Sequence, residues 1–201
     1  MNGLKSAATL SAAAAAAESA GSNVEITSMR TESGEVYATP DGQLEAVRHL
    51  KPVRTRVAGA WKTIDNTLTK QADGRVSPRA AAVGLSFSGG GSGPLVTLER
   101  TGRTMSLSWP EPLPAPSLDG DTATYANVLP GVDLTVHSLT DGYSELLVVK
   151  SADAAKNPAL TQLKLGVDSA GVDLQETAGG GLQAVDQAAG GVVFQAAKTV
   201  S

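Results

Sequence analysis

The sequence predicts an all-β fold, an antiparallel β-sandwich or two packed β-sheets, preceded by a short N-terminal Ala-rich helix. Three observations predict it. In many short segments apolar residues recur at every second position, which puts one row of side chains on a core face and the other in water. Turn residues (Pro, Gly, Asp-Gly) separate those segments at short intervals. The clearest stretch, Tyr125 to Val149, combines both: an aromatic strand entry, a Leu-Pro-Gly turn, Val132, Leu134 and Val136 in alternation, a Thr140-Asp141-Gly142 turn, and an apolar return strand.

The elements follow in order. Residues 1–22 form an Ala-rich helical leader: the helix spans 4–20 on propensity and stops at Gly21, the residue type favoured just past a helix end. Read as a signal peptide, with Lys5 as its charged start, this run is too poor in Leu and Val. An Ala stripe also buries little area, so its capture by a sheet is not specified by the sequence. From Val24 the period becomes two, through Val36 and Tyr37 to a Pro40-Asp41-Gly42 turn. Val53, Thr55 and Val57 alternate with Arg54 and Arg56 and return through Ala58-Gly59 to Trp61 and Ile64 as a second hairpin. After an Ala72-Asp73-Gly74 turn, Val83, Leu85 and Phe87 alternate, and a Gly89–Gly93 loop leads back through Val96 and Leu98. Thr101-Gly102 then turns into Met105, Leu107 and Trp109.

Residues 110–116, with four prolines in seven positions, cannot lie inside a sheet and mark a crossover or hinge. The organisation is thus a first β half over 23–109, the Pro-rich crossover, and a second β half over 117–201, in one domain or two tightly packed subdomains. The second half repeats a tetrapeptide, Gly131-Val132-Asp133-Leu134 and Gly171-Val172-Asp173-Leu174, in keeping with a meander of similar hairpins. Between the copies, Ala152 to Leu160 reads as a short helical turn or loop ending at Asn157-Pro158.

Composition narrows the function. A chain of 201 residues buries roughly 70% of its unfolded surface, and with 3% aromatic residues its core must be Val and Leu. The net charge of -4 divides unevenly, residues 1–110 holding 12 Lys/Arg against 9 Asp/Glu and residues 111–201 holding 4 against 11. No sustained basic patch for nucleic acid results. There is no Cys, hence no disulfide or thiolate chemistry, and no apolar run long enough for a spanning helix.

Nothing in the sequence assembles a catalytic site. His137, Asp133 and a serine compose a triad only on paper, without a nucleophile elbow, and His49 reads as a surface residue. Asp119-Gly120-Asp121 resembles a fragment of a calcium loop but lacks the further acids such a loop needs, so it reads as a turn. The Gly89–Gly93 loop lacks the Lys-Ser/Thr and the following helix of a phosphate cradle and reads as a flexible hairpin loop. Arg48, Lys51, Arg54, Arg56 and Lys62 form a local basic cluster without interleaved aromatics. The chain is therefore expected not to be an enzyme and to need neither cofactor nor metal. A glycan is the alternative ligand, with Trp61, Tyr125 or Tyr143 as stacking platforms.

The order of motifs resembles a known module. Arg30-Thr31-Glu32, Ala38-Thr39-Pro40-Asp41-Gly42, Pro52-Val53-Arg54-Thr55-Arg56 and Gly59-Ala60-Trp61-Lys62-Thr63-Ile64-Asp65 carry the likeness in the first half. Gly93-Pro94-Leu95, Leu107-Ser108-Trp109-Pro110, Tyr125-Ala126-Asn127-Val128-Leu129-Pro130-Gly131-Val132-Asp133-Leu134, Leu147-Val148-Val149-Lys150 and Asn157-Pro158-Ala159-Leu160 continue it over roughly 24–198. These are similar to the N-terminal β module of large secreted proteins of actinobacteria and other Gram-positive bacteria, whose later parts are LamG-like or DNRLRE-type domains, RHS/YD repeats or polymorphic-toxin domains. The resemblance implies a secreted or wall-associated, non-catalytic structural module serving adhesion or presentation. Its partners would be other domains of the same large protein or cell-surface components. It transfers no catalytic residue.

Overall fold

The computed structural model describes residues 6–196 and is all-β apart from one helix and three 3-10 turns. Residues 4–5 of the expected helix, Lys5 of the signal-peptide reading, and residues 197–198 of the resembling stretch lie outside the described residues. By contacts the chain divides into two compact units, Met1–Ile64 and Asp65–Ser201.

In the first unit, β1 (Ser6–Ala7), β2 (Val24–Ile26), β3 (Gly34–Ala38) and β4 (Leu44–Arg48) form one sheet in that order. The helix α1 (Leu10–Ala20) crosses from β1 to β2, which pair in parallel, the one exception to antiparallel pairing among the described residues. The helix begins later than its composition predicts because Thr9 caps it, its hydroxyl accepting from the Ala12 N–H, and residues 6–7 are spent on the sheet. It ends, as expected, at left-handed Gly21. Its Ala face is captured: Ala13 and Ala17 are fully buried against Val24, Ile26 and Ala38. Small side chains bury little area each but let the helix approach the strands closely. β5 (Arg54–Val57) and β6 (Ala60–Thr63) form the predicted second hairpin.

The second unit holds three sheets. A six-stranded sheet runs in the order β16-β11-β10-β9-β8-β7, from β7 (Asp65–Lys70), β8 (Val76–Ala80), β9 (Gly84–Phe87), β10 (Val96–Arg100), β11 (Arg103–Ser108) and β16 (Gly166–Ala170). A four-stranded sheet follows chain order through β12 (Ser117–Asp119), β13 (Thr122–Leu129), β14 (Val132–Leu139) and β15 (Gly142–Val149). The third is the meander β17 (Val172–Glu176), β18 (Leu182–Asp186) and β19 (Val192–Ala196). All three share one core: Leu85, Phe87 and Val96 from the first, Tyr125, Leu134 and Val136 from the second, Val172, Ala184 and Phe194 from the third. The ion pair of Arg103 Nε with Asp186 Oδ2, at 2.5 Å, links β11 to β18.

The Pro-rich run lies inside this second unit and carries the chain from the six-stranded to the four-stranded sheet. It is anchored, since Leu113 between two prolines exchanges both main-chain hydrogen bonds with Gly91, at 2.8 and 2.9 Å, and buries its side chain. That contact also revises the reading of Gly89–Gly93 as a flexible loop. Two of its glycines are packing devices: a Cβ on Gly89 would lie 1.8 Å from the Gly74 carbonyl oxygen, and one on Gly90 would meet Ala115 at 3.0 Å. Ala152–Leu160 forms two 3-10 turns, Ala154–Lys156 and Pro158–Leu160; the second starts at Pro158, where the sequence reading ended, because Asn157 caps the Ala159 N–H.

Candidate functional site

The residues singled out from sequence do not converge. Tyr125 is wholly buried, which corrects its reading as a stacking platform: it fills the core, and its hydroxyl donates to the Ser88 carbonyl at 2.7 Å. Alternation placed its ring on the inward face, and the backbone carbonyl within reach made burial of the hydroxyl affordable. Trp61 stays half-buried at the ladder position opposite Arg56, whose guanidinium carbon sits 4.5 Å from the indole centroid and occupies one ring face. Tyr143 stands edge-on to Phe87, with centroids 6.0 Å apart. Burial of its ring pushes the phenol pKa up.

The paper triad does not form. His137 Nδ1 lies 2.8 Å from the Thr122 hydroxyl, which donates to Asp121. Asp133 instead accepts from the Asn127 amide at 2.7 Å and pairs with Lys150 at 2.6 Å; the Lys150 hydrogen bond, then the amide, hold its carboxyl below the usual range. Asp119-Gly120-Asp121 makes the β12–β13 turn. Among the described residues no group of three or more acids or histidines is placed to hold a metal ion.

One member of the basic cluster, Arg54, pairs with a buried acid. Glu25 on β2 and Glu35 on β3 are both buried, two ladder positions apart and so on the same face, the one opposite the helix. Arg30 binds Glu25 with two hydrogen bonds of 2.5 Å, and Arg54 binds Glu35. Arg54 also donates to the carbonyls of Thr31 and Gly34, and His49 Nε2 lies 3.0 Å from Glu35. The Arg30 hydrogen bond is the main cause holding the Glu25 carboxyl low. A guanidinium partner favours the ionised carboxylate, and these ion pairs compensate the two buried acids on this face of the sheet.

A cleft of about 770 Å³ lies in the second unit. Leu98, Met105 and Leu107 of the six-stranded sheet, with Val83 just ahead of β9, form one wall, Leu182, Ala184, Val192 and Phe194 another, and Tyr143 and Glu145 of β15 a third. Glu145 shares the inward row of β15 with Tyr143 and Leu147, opposite buried Val136. Glu145 is exposed to solvent at the cleft, its carboxyl has no hydrogen-bond or ion-pair partner among the described residues, and partial desolvation by the surrounding protein raises its pKa. Arg100, Asp141, Ser144, Gln183 and Gln195 add the other polar groups. This is the shape and chemistry of a binding cleft, mostly apolar with a few polar groups. The signal was present in the sequence as one acid at an apolar position of the alternating run Tyr143 to Val149. No protein-family model, curated protein or solved structure matches the chain.

Proposed function

We propose that this chain is a non-catalytic structural and interaction module of an exported bacterial cell-surface or toxin-delivery protein, supporting adhesion or presentation of other domains. One observation carries the reading: the most distinctive motif of the sequence is spent on its own hairpin. Tyr125 plugs the core, Asn127 takes a left-handed bulge at φ 54, and Gly131 makes the turn at φ 71. Asp133 clasps the Asn127 amide and Lys150, and Leu134 is buried. Conspicuous residues that all serve the scaffold leave surfaces and clefts, rather than a reactive group, as the means of action. The partners would be other domains of the same protein or cell-surface components.

Fractionation of the organism that carries the gene tests it. The expected result is recovery in the medium or wall fraction, with surface protease digesting it on intact cells. Recovery solely from the protected cytoplasmic fraction sinks the exported reading. A carbohydrate-binding module is the second reading, favoured by Trp61, whose ring stays half-buried with one face taken by Arg56. It requires that Trp61→Ala abolish glycan retention.

A further inference from the structure

The cleft of the second unit is bordered by strand edges as well as by sheet faces. Successive residues of a strand point to opposite faces, so a cavity seated on one face touches alternate residues. This cleft touches Gly142 through Glu145 of β15 and Val192 through Ala196 of β19 without skipping one. Both strands are terminal in their sheets. On β15 the even-numbered residues spend their main-chain groups on β14, since the Lys150 N–H donates to the Gly131 carbonyl at 2.9 Å and the register runs pairwise from there. Tyr143, Glu145 and Leu147 therefore aim their N–H and C=O groups away from β14. Among the described residues no strand pairs with that edge.

We propose that the cleft accepts an extended peptide by strand addition along β15, a segment with alternate apolar residues and a lysine or arginine set against Glu145. Strand addition takes its affinity from main-chain hydrogen bonds and its selectivity from pockets for alternate side chains. The pockets are on hand: Val167, Leu174, Leu182 and Val192 line the cleft and remain 43%, 42%, 54% and 54% exposed. Charge selects the occupant. Glu145 is an unpartnered acid on the β15 wall, the cation Arg100 stands on β10 at another wall, and residues 65–201 carry 14 Asp/Glu against 9 Lys/Arg. A second copy offering its own β15 would bring a second Glu145 into the same slot, which is how inward charges keep sheet edges from pairing with themselves. A basic strand meets the opposite condition.

The proposal rests on the reading of the chain as an interaction module, and its test separates the two. The probe is a fluorescein-labelled Val-Thr-Lys-Thr-Val-Thr-Val peptide, titrated against the full chain by fluorescence anisotropy. Saturable binding is expected, weakened about tenfold by Glu145→Gln because a close charge pair is lost. Glu145→Lys should instead prefer the peptide with Glu in place of Lys. A peptide N-methylated at alternate amides should not bind. Equal binding of the N-methylated peptide, no saturation by the lysine peptide, or a dimer in sedimentation that Glu145→Gln leaves intact each overturns the strand slot. Glycoside turnover lost in Glu145→Gln would overturn the module reading instead. The Gln variant removes an unpartnered charge, so its folding is not at risk, and circular dichroism checks it.

Discussion

Tyr125 and Glu145 show how a side chain's surroundings, rather than its type, assign its task. Tyr125 has its hydroxyl paired at 2.7 Å and so belongs to the core. Glu145 has no such partner and so marks a cleft. Opposite pH behaviour follows for the two kinds of carboxylate. The folded-state pKa of Glu145 is raised, so the folded protein holds that proton more tightly than the unfolded chain. The stability this gives is complete below the ordinary glutamate value and disappears as pH climbs through the folded pKa. Glu25 is the reverse: its pKa is lowered by Arg30, so its contribution exists above the ordinary value and fades as pH drops through the folded one. Urea unfolding should accordingly show Glu145→Gln more stable than wild type at pH 7, the gap closing below pH 4. Arg30→Ala should cost about 2 kcal/mol at pH 7 and less in acid, since it leaves a buried carboxylate without its partner. An Arg30→Ala penalty that does not change with pH would contradict this assignment.

At the scale of elements, turns and close approaches carry the specificity that the β pattern lacks. The two Gly-Val-Asp-Leu copies each begin a strand, β14 and β17, and bury their valine, yet Leu134 is buried while Leu174 is 42% exposed. A tetrapeptide states a turn and a register; whether a second sheet lies above the leucine is decided elsewhere. The Gly89–Gly93 run is a similar case. Its composition describes a loop, and only the packed structure places the Gly74 carbonyl where a Cβ of residue 89 would be. Because that obstacle is backbone, Gly89→Ala forces a main-chain shift and should destabilise by about 2 kcal/mol. Ala at Gly93, where a Cβ meets nothing within 4 Å, should be nearly silent. Thermal melts of the two variants check the contrast, and equal melting temperatures would refute it.

For the whole molecule, the cores divide as the contacts do. One is built from buried residues between Ala13 and Ala38 and the other from residues between Leu68 and Phe194. A fragment of residues 65–201 should therefore fold alone, with a cooperative calorimetric transition; a broad, featureless melt would show that it needs the first unit. The sequence by itself determined the β class, the hairpins at Ala58-Gly59 and Thr101-Gly102, the inward row of Val132, Leu134 and Val136, and the end of the helix at Gly21. These are local matters, set by alternation and by backbone conformations that few residues tolerate. Tertiary structure alone decided that the Ala helix packs on a sheet, that Glu25 and Glu35 are buried beneath arginines, that Leu113 ties the Pro-rich crossover to Gly91, and that two strand edges border one cleft. Those depend on which distant segments meet, and a periodicity of two says which face of a strand is buried without saying what covers it.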